Sequence, residues 1–196
     1  MSMFGQVYSK NKQYKIKGDF HHLTPNQPIR DADDGWKLLG VTNPRDLTYI
    51  HSYGGEAVFF ESLSKGKLMA TRCDNSECEG HGTIYQPFRT YCMDCLRKCT
   101  VIDMTDLAKK TAKIHTFMVC ERSGAFNILN TPIKFINVEF DGVDTILMGY
   151  LSVGEPEIGM RVVPIFQTLN PTSTILDLSW VPDGTAEKEL PEGFSF

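Results

Sequence analysis

Beyond residue 100, apolar and polar positions fall into short runs cut by turn formers, the pattern of consecutive strands. "AKIHTFMVC" (112–120) is the first run. "IKFINVEF" (133–140) follows and is joined through "DGVD" to "TILMGYLS" (145–152), a hairpin signal. "RVVPIFQTL" (161–169) is the fourth run, where Pro164 argues for an edge or a bulge, and "STILDLSWVP" (173–182) is the fifth. Five short strands in about 70 residues predict a small barrel or sandwich.

Upstream the pattern changes. In "GGEAVFFESLSKGKL" the residues Ala57, Phe60, Leu63 and Ser64 recur at helical spacing, with Glu56 and Glu61 outside that stripe. Two glycines precede the run and Gly66 ends it, which predicts a helix over about 55–65. A strand over Lys67 to Arg72 then leads into a cysteine-rich stretch. The first fifty residues are turn-rich ("LTPNQPIRDADDGW", "VTNPRD"), with Pro25, Pro28, Pro44, Gly35 and Gly40 interrupting any long periodic element. They predict an arm with no core of its own, whose aromatic residues from Phe4 to Tyr53, Trp36 among them, suit an interface. The expected organisation is an extended N-terminal arm (1–54), a helix (55–66), a ribbon (67–100), a five-stranded barrel (101–182) and a polar tail (183–196).

Composition adds little to this. The chain has 196 residues, 41% apolar and 22% charged, as in an ordinary soluble globular protein. No apolar run reaches the roughly 18 to 20 residues that span a bilayer. "MSMFGQVYSKNKQYKIKGDF" lacks the apolar stretch of a secretory signal, so a cytoplasmic protein with reduced thiols is expected.

In that setting the cysteines become the main chemical signal. Cys73 and Cys78 are separated by four residues, Cys92 and Cys95 by two, and thirteen residues lie between the pairs. Each short gap lets one turn aim two sulfurs at one ion, and the longer loop brings the pairs together. Four thiolates suit tetrahedral Zn²⁺ with Zn–S near ~2.3 Å, and four protein ligands leave no open position, so the expected site is structural. Cys99 lies close enough to compete, and His81 could replace a sulfur, but two pairs already complete the shell. Cys120 reads as a small buried hydrophobe, His115 as a half-buried strand residue, and His21 and His22 as surface residues. G-x-S-x-G, P-loop, G-x-G-x-x-G and H-E-x-x-H motifs are all missing from the sequence.

Charge then bears on the ligand. Residues 65–113 hold nine basic and six acidic side chains, net +3, whereas 114–196 hold four basic and eleven acidic, net −7. A single-stranded nucleic-acid-binding ribbon and barrel is the alternative reading, but it needs a basic groove, and an acidic barrel would repel a phosphate backbone. A phosphate-bearing small molecule or a protein partner fits the distribution better. An iron-bearing redox protein is a third option, since four thiolates also hold iron.

The run "FFESLSKGKLMATRCDNSECEGHGTIYQPFRTYCMDC" resembles a family of small proteins that join a rubredoxin-like zinc ribbon to an OB-fold and accompany thiolase-superfamily enzymes. Phe59, Phe60, Leu63, Gly66 and Leu68 match the family's FF-x-x-L-x-x-G-x-L step. "QPFRTYCMDC" matches its approach to the second knuckle, and "IGMRVVPIF" looks like its late barrel strand. The resemblance covers about residues 55–182, tight in the ribbon and loose in the barrel. It departs from the family in having C-x4-C where C-x2-C is usual, and in a longer N-terminal region. It implies a mainly β fold with a rubredoxin-like zinc ribbon and a C-terminal five-stranded OB-fold barrel. It also implies a non-catalytic subunit, inactive alone, within a hetero-oligomeric acyltransferase complex of β-oxidation type. The partner would be a thiolase, a hydroxymethylglutaryl-CoA synthase or a thiolase-like aldolase, and the small subunit would help hold acyl-CoA. Lys67, Arg72 and Arg89 are the candidate contacts to the CoA phosphates.

Overall fold

A computed structural model describes residues 6–11, 13–17, 28–31, 37–41, 53–121 and 129–196. The chain divides into two compact units, residues 1–52 and 53–196. In the first, β1 (Gln6–Lys10) pairs antiparallel with β2 (Gln13–Lys17), and β3 (Pro28–Asp31) with β4 (Lys37–Val41). These hairpins escaped the sequence reading, which looked for long periodic elements. The first turn carries its own signal, however: Asn11 takes φ +56°, a left-handed conformation that asparagine tolerates. The aromatic side chains assigned to the arm before Tyr53, and His21 and His22, lie outside the described residues.

The second unit begins with a 3-10 turn (Gly54–Glu56) that runs into α1 (Ala57–Leu63), which buries Phe59 and Leu63. Strand β5 (Met69–Arg72) is central in a three-stranded sheet, flanked by β6 (Ile84–Tyr85) and β7 (Thr100–Asp103). Next comes α2 (Thr105–Thr111), which the sequence reading missed because seven residues make only two turns. Its signals are Asp106 in the first turn and Lys109 and Lys110 in the last, each suited to the helix dipole.

The barrel follows. β8 (Lys113–Cys120) pairs with β9 (Ile133–Glu139), and β9 with β10 (Leu147–Tyr150), both antiparallel. β11 (Val162–Gln167) pairs antiparallel with β12 (Leu178–Pro182) and, at its end, with β13 (Phe194–Ser195). Two bridges join these sheets: Leu151 lies parallel to Trp180, and Lys113 antiparallel to Arg161. The strand circuit is therefore β8-β9-β10-β12-β11 and back to β8, the Greek-key closure of a five-stranded OB-fold. Pro164 sits between the Arg161 bridge and the start of the β13 pairing at Phe166, where its missing N–H costs no ladder bond on that side.

The fifth predicted strand is shorter than expected, because residues 175–177 form a 3-10 turn before β12. The fully buried Asp177 carboxylate causes this: it accepts from Thr172 N, Thr172 Oγ1 and Ser173 N at 2.7–2.8 Å. One apolar core runs from Phe59 and Leu63 through Leu68, Ala70, Met104 and Ala108 to Ile114, Ile136, Val138, Val162, Phe166 and Trp180. Trp180 is its largest fully buried side chain. It stands against Gly149, where an added Cβ would lie 2.7 Å from the indole nitrogen. Among the described residues no helix is long and apolar enough to cross a membrane.

Candidate metal centre

The ribbon sheet ends in two loops that face each other. Cys73 closes the first: its N–H donates to Thr83 O at 3.1 Å, and its carbonyl accepts from Gly82 N at 2.8 Å. Inside that loop Cys78 N–H donates to Asn75 O and His81 N–H to Cys78 O, both at 3.0 Å. The four intervening residues are thus taken up by a turn, and the wider C-x4-C gap still aims two sulfurs one way. The second loop is tighter, with Cys92 N–H donating to Arg97 O (3.0 Å) and Leu96 N–H to Cys92 O (3.2 Å). Here Leu96 holds φ +56° while 74% exposed.

These loops bring the Sγ atoms of Cys73, Cys78, Cys92 and Cys95 within 4.8 Å of one another. Cys73 and Cys95 sulfurs are 3.9 Å apart, Cys78 and Cys92 sulfurs 3.7 Å. A regular tetrahedron with metal–sulfur bonds of ~2.3 Å has edges of about 3.8 Å, so the donor set fits a tetrahedral ion such as zinc. Cys99 and His81 are outside this group. Cys99 packs beside it, buried and with its carbonyl neighbour Thr90 receiving its N–H at 3.0 Å.

Electrostatics favour thiolate on the second loop. The Cys95 backbone N–H, followed by the Tyr85 hydroxyl 3.3 Å away, holds the Cys92 thiol down at about 6. The Arg97 N–H lowers Cys95 in the same way. Burial pushes Cys78 up to about 12 and Cys99 to about 11. Without a cation the cluster would keep part of its protons; a dication lets the four ligands all be thiolates. A metal held by these four sulfurs would supply cross-linking, and a complete sulfur shell would leave it no position for substrate.

Two of the three basic candidates carry acidic partners. Lys67 pairs with Asp103 at 3.2 Å and Arg72 with Asp74 at 2.6 Å, at opposite ends of a stretch about 16 Å long at strand rise. The Arg72 guanidinium holds the Asp74 carboxyl below the usual range. Arg89 is exposed and forms no ion pair with another described residue, while its N–H donates to the buried Thr71 hydroxyl at 3.2 Å.

The sequence reading also missed the joint between ribbon and barrel. Gln86 is fully buried; its N–H donates to Thr145 Oγ1 and its carbonyl accepts from the same hydroxyl, both at 2.7 Å. Its side-chain amide donates to Met69 O at 3.1 Å. Only a contact 59 residues away in sequence reveals this role.

Fold and site together define a ribbon protein with a four-cysteine cluster that could hold a metal ion such as zinc, built onto an OB-fold barrel. No protein-family model matches the chain, and no curated protein matches it. Among solved structures it is similar to a protein of unknown function from the DUF35 family of Sulfolobus solfataricus, with 20% identity and a TM-score of 0.49 over 69% of this chain and 90% of that one. It is also similar to the Ltp2-ChsH2(DUF35) aldolase, with 22% identity and a TM-score of 0.49 over 65% of this chain and 93% of that one.

Proposed function

We propose that this protein is a cytoplasmic, zinc-braced, non-catalytic subunit of a thiolase-type acyl-CoA enzyme complex. The observation that carries the reading is the closed four-sulfur centre. Among the described residues it is the one cluster of histidine, cysteine or acidic side chains placed to hold a metal, and its shell is complete. Such a centre braces a fold, so chemistry in the complex belongs to the partner. The FF-x-x-L-x-x-G-x-L helix and the knuckle sequences supply the link to thiolase-superfamily partners. Family members with extensions at both ends share this chain's layout, and the particular assignment is the small subunit of benzoylsuccinyl-CoA thiolase, of anaerobic toluene degradation. Its share of acyl-CoA binding falls chiefly to Arg89, whose fork has no acidic partner among the described residues. The net charge of −7 over 114–196 argues against a nucleic-acid track.

Co-expression with a thiolase-superfamily catalytic subunit, the large subunit of benzoylsuccinyl-CoA thiolase first, tests the reading. The two chains are expected to co-purify, with one zinc per small subunit and thiolytic activity only when both are present. Recovery of a lone chain, or full activity of the large subunit without it, rejects the proposal. Turnover of benzoylsuccinyl-CoA by the pair, set against an unbranched 3-oxoacyl-CoA, decides the particular assignment.

A further inference from the structure

β8 is the terminal strand of the β10-β9-β8 sheet. Among the described residues its other edge is closed only at the start, where Ile114 N–H donates to Met160 O (2.9 Å) and Gly159 N–H to Ile114 O (2.7 Å). From His115 to Val119 the strand pairs with β9 alone among the described residues, and every residue is exposed. Three are large and apolar: Phe117 is 42% exposed, Met118 60% and Val119 41%. Ile158, beside the closed end, is 72% exposed. Residues 115–119 hold no lysine, arginine or acidic side chain, and soluble proteins ordinarily blunt such an apolar edge with lysine, proline or a cover. Unpaired edge groups with apolar side chains on both faces suit an added strand.

Charge selects the occupant. Glu157 stands at the closed end, in the turn whose Met160 N–H donates to Glu157 O, and Glu121 follows the strand at the other end; both are exposed. The basic side chains of this strand are turned to an acid of β9: Lys113 Nζ lies 3.3 Å and His115 Nδ1 2.7 Å from the Glu139 carboxylate. A second copy would set the −7 of residues 114–196 against itself. We propose that the β8 edge, residues 115–119, is a docking strand for an extended apolar segment of a partner protein flanked by basic residues. In the setting of the accessory-subunit reading, that partner is the catalytic subunit.

The free chain is titrated with the labelled peptide KTVTVTK and with ETVTVTE, whose seven residues match the seven positions from His115 to Glu121. The basic-flanked peptide is expected to bind roughly fivefold or more tightly, with the preference shrinking at high salt. Met118→Lys should abolish binding, and Glu121→Lys with Glu157→Lys should reverse the preference at unchanged thermal stability. Hydrogen exchange should slow at 115–119 on peptide binding, and likewise in the co-purified complex. Equal or no binding of the two peptides overturns the proposal, as does a dimer of the free chain protected at 115–119. Co-purification with unchanged exchange at 115–119 rejects this surface while leaving the accessory-subunit reading intact. Failure to co-purify, with peptide binding as expected, does the reverse.

Discussion

The ribbon tip and the barrel are folded by different means. In the barrel, Ile114, Ile136, Val138, Val162, Phe166 and Trp180 form a core that is almost wholly removed from water. In the tip, between Cys73 and Cys99, the sulfur cluster buries one tyrosine and three cysteines, with Cys78 and Cys95 partly buried against them. Apolar burial stabilises in proportion to area, about 25 cal/mol per Å², and the tip has little area to bury. There a metal ion bound by the four sulfurs would take the place of a core. The two halves meet at α1, β5 and α2, whose apolar residues belong to the barrel's core, so the base of the ribbon depends on packing and only its end on sulfur. The difference teaches that stability and metal content should be separable in this protein.

The strongest test removes a ligand. Cys92→Ser, or exhaustive chelation, should abolish stoichiometric metal and expose the amides of 73–99 to rapid exchange, while β8–β12 stay protected. Metal analysis with hydrogen exchange reads both halves at once, and simultaneous collapse of the barrel would break the comparison. Next in size is Trp180→Ala, expected to cost about 3–5 kcal/mol in denaturant unfolding of the barrel. Its metal content should be unchanged under native conditions. Thr145→Val acts at the joint: it leaves the buried N–H and carbonyl of Gln86 unpaired and should cost about 1–3 kcal/mol. Because Gln86 touches both halves, this variant should speed exchange on both sides of the joint. The smallest effect is a gain. Leu96→Gly relieves a left-handed residue and should stabilise the metal-bound second loop by about 1 kcal/mol, seen as slower metal loss to a chelator.

Local signals made several features legible. The hairpin at "DGVD" rests on turn chemistry within a few residues, and Gly142 there takes φ +71°. The run of alternating apolar residues locates β8, β9 and β11 to within a residue or two. Cysteine spacing singles out Cys73, Cys78, Cys92 and Cys95, because ligands for one ion must come from tight turns. Elements too short to show a period were harder. α2 and the hairpins β1-β2 and β3-β4 run four to seven residues each, and the 3-10 turn at 175–177 is set by the Asp177 carboxylate, which apolar patterning does not reveal.

What the amino-acid order determined alone was therefore local: strand runs, one turn, one helix, and four sulfurs in two pairs. Tertiary structure alone decided which strands close the circuit, that Gln86 clamps to Thr145, that Lys67 and Arg72 are spent on Asp103 and Asp74, and that residues 115–119 of β8 pair with β9 alone among the described residues. The physical reason is range. Backbone propensity and metal-loop geometry act over a few residues, whereas strand pairing, ion pairing and burial are settled between residues far apart in the chain, where several partners compete.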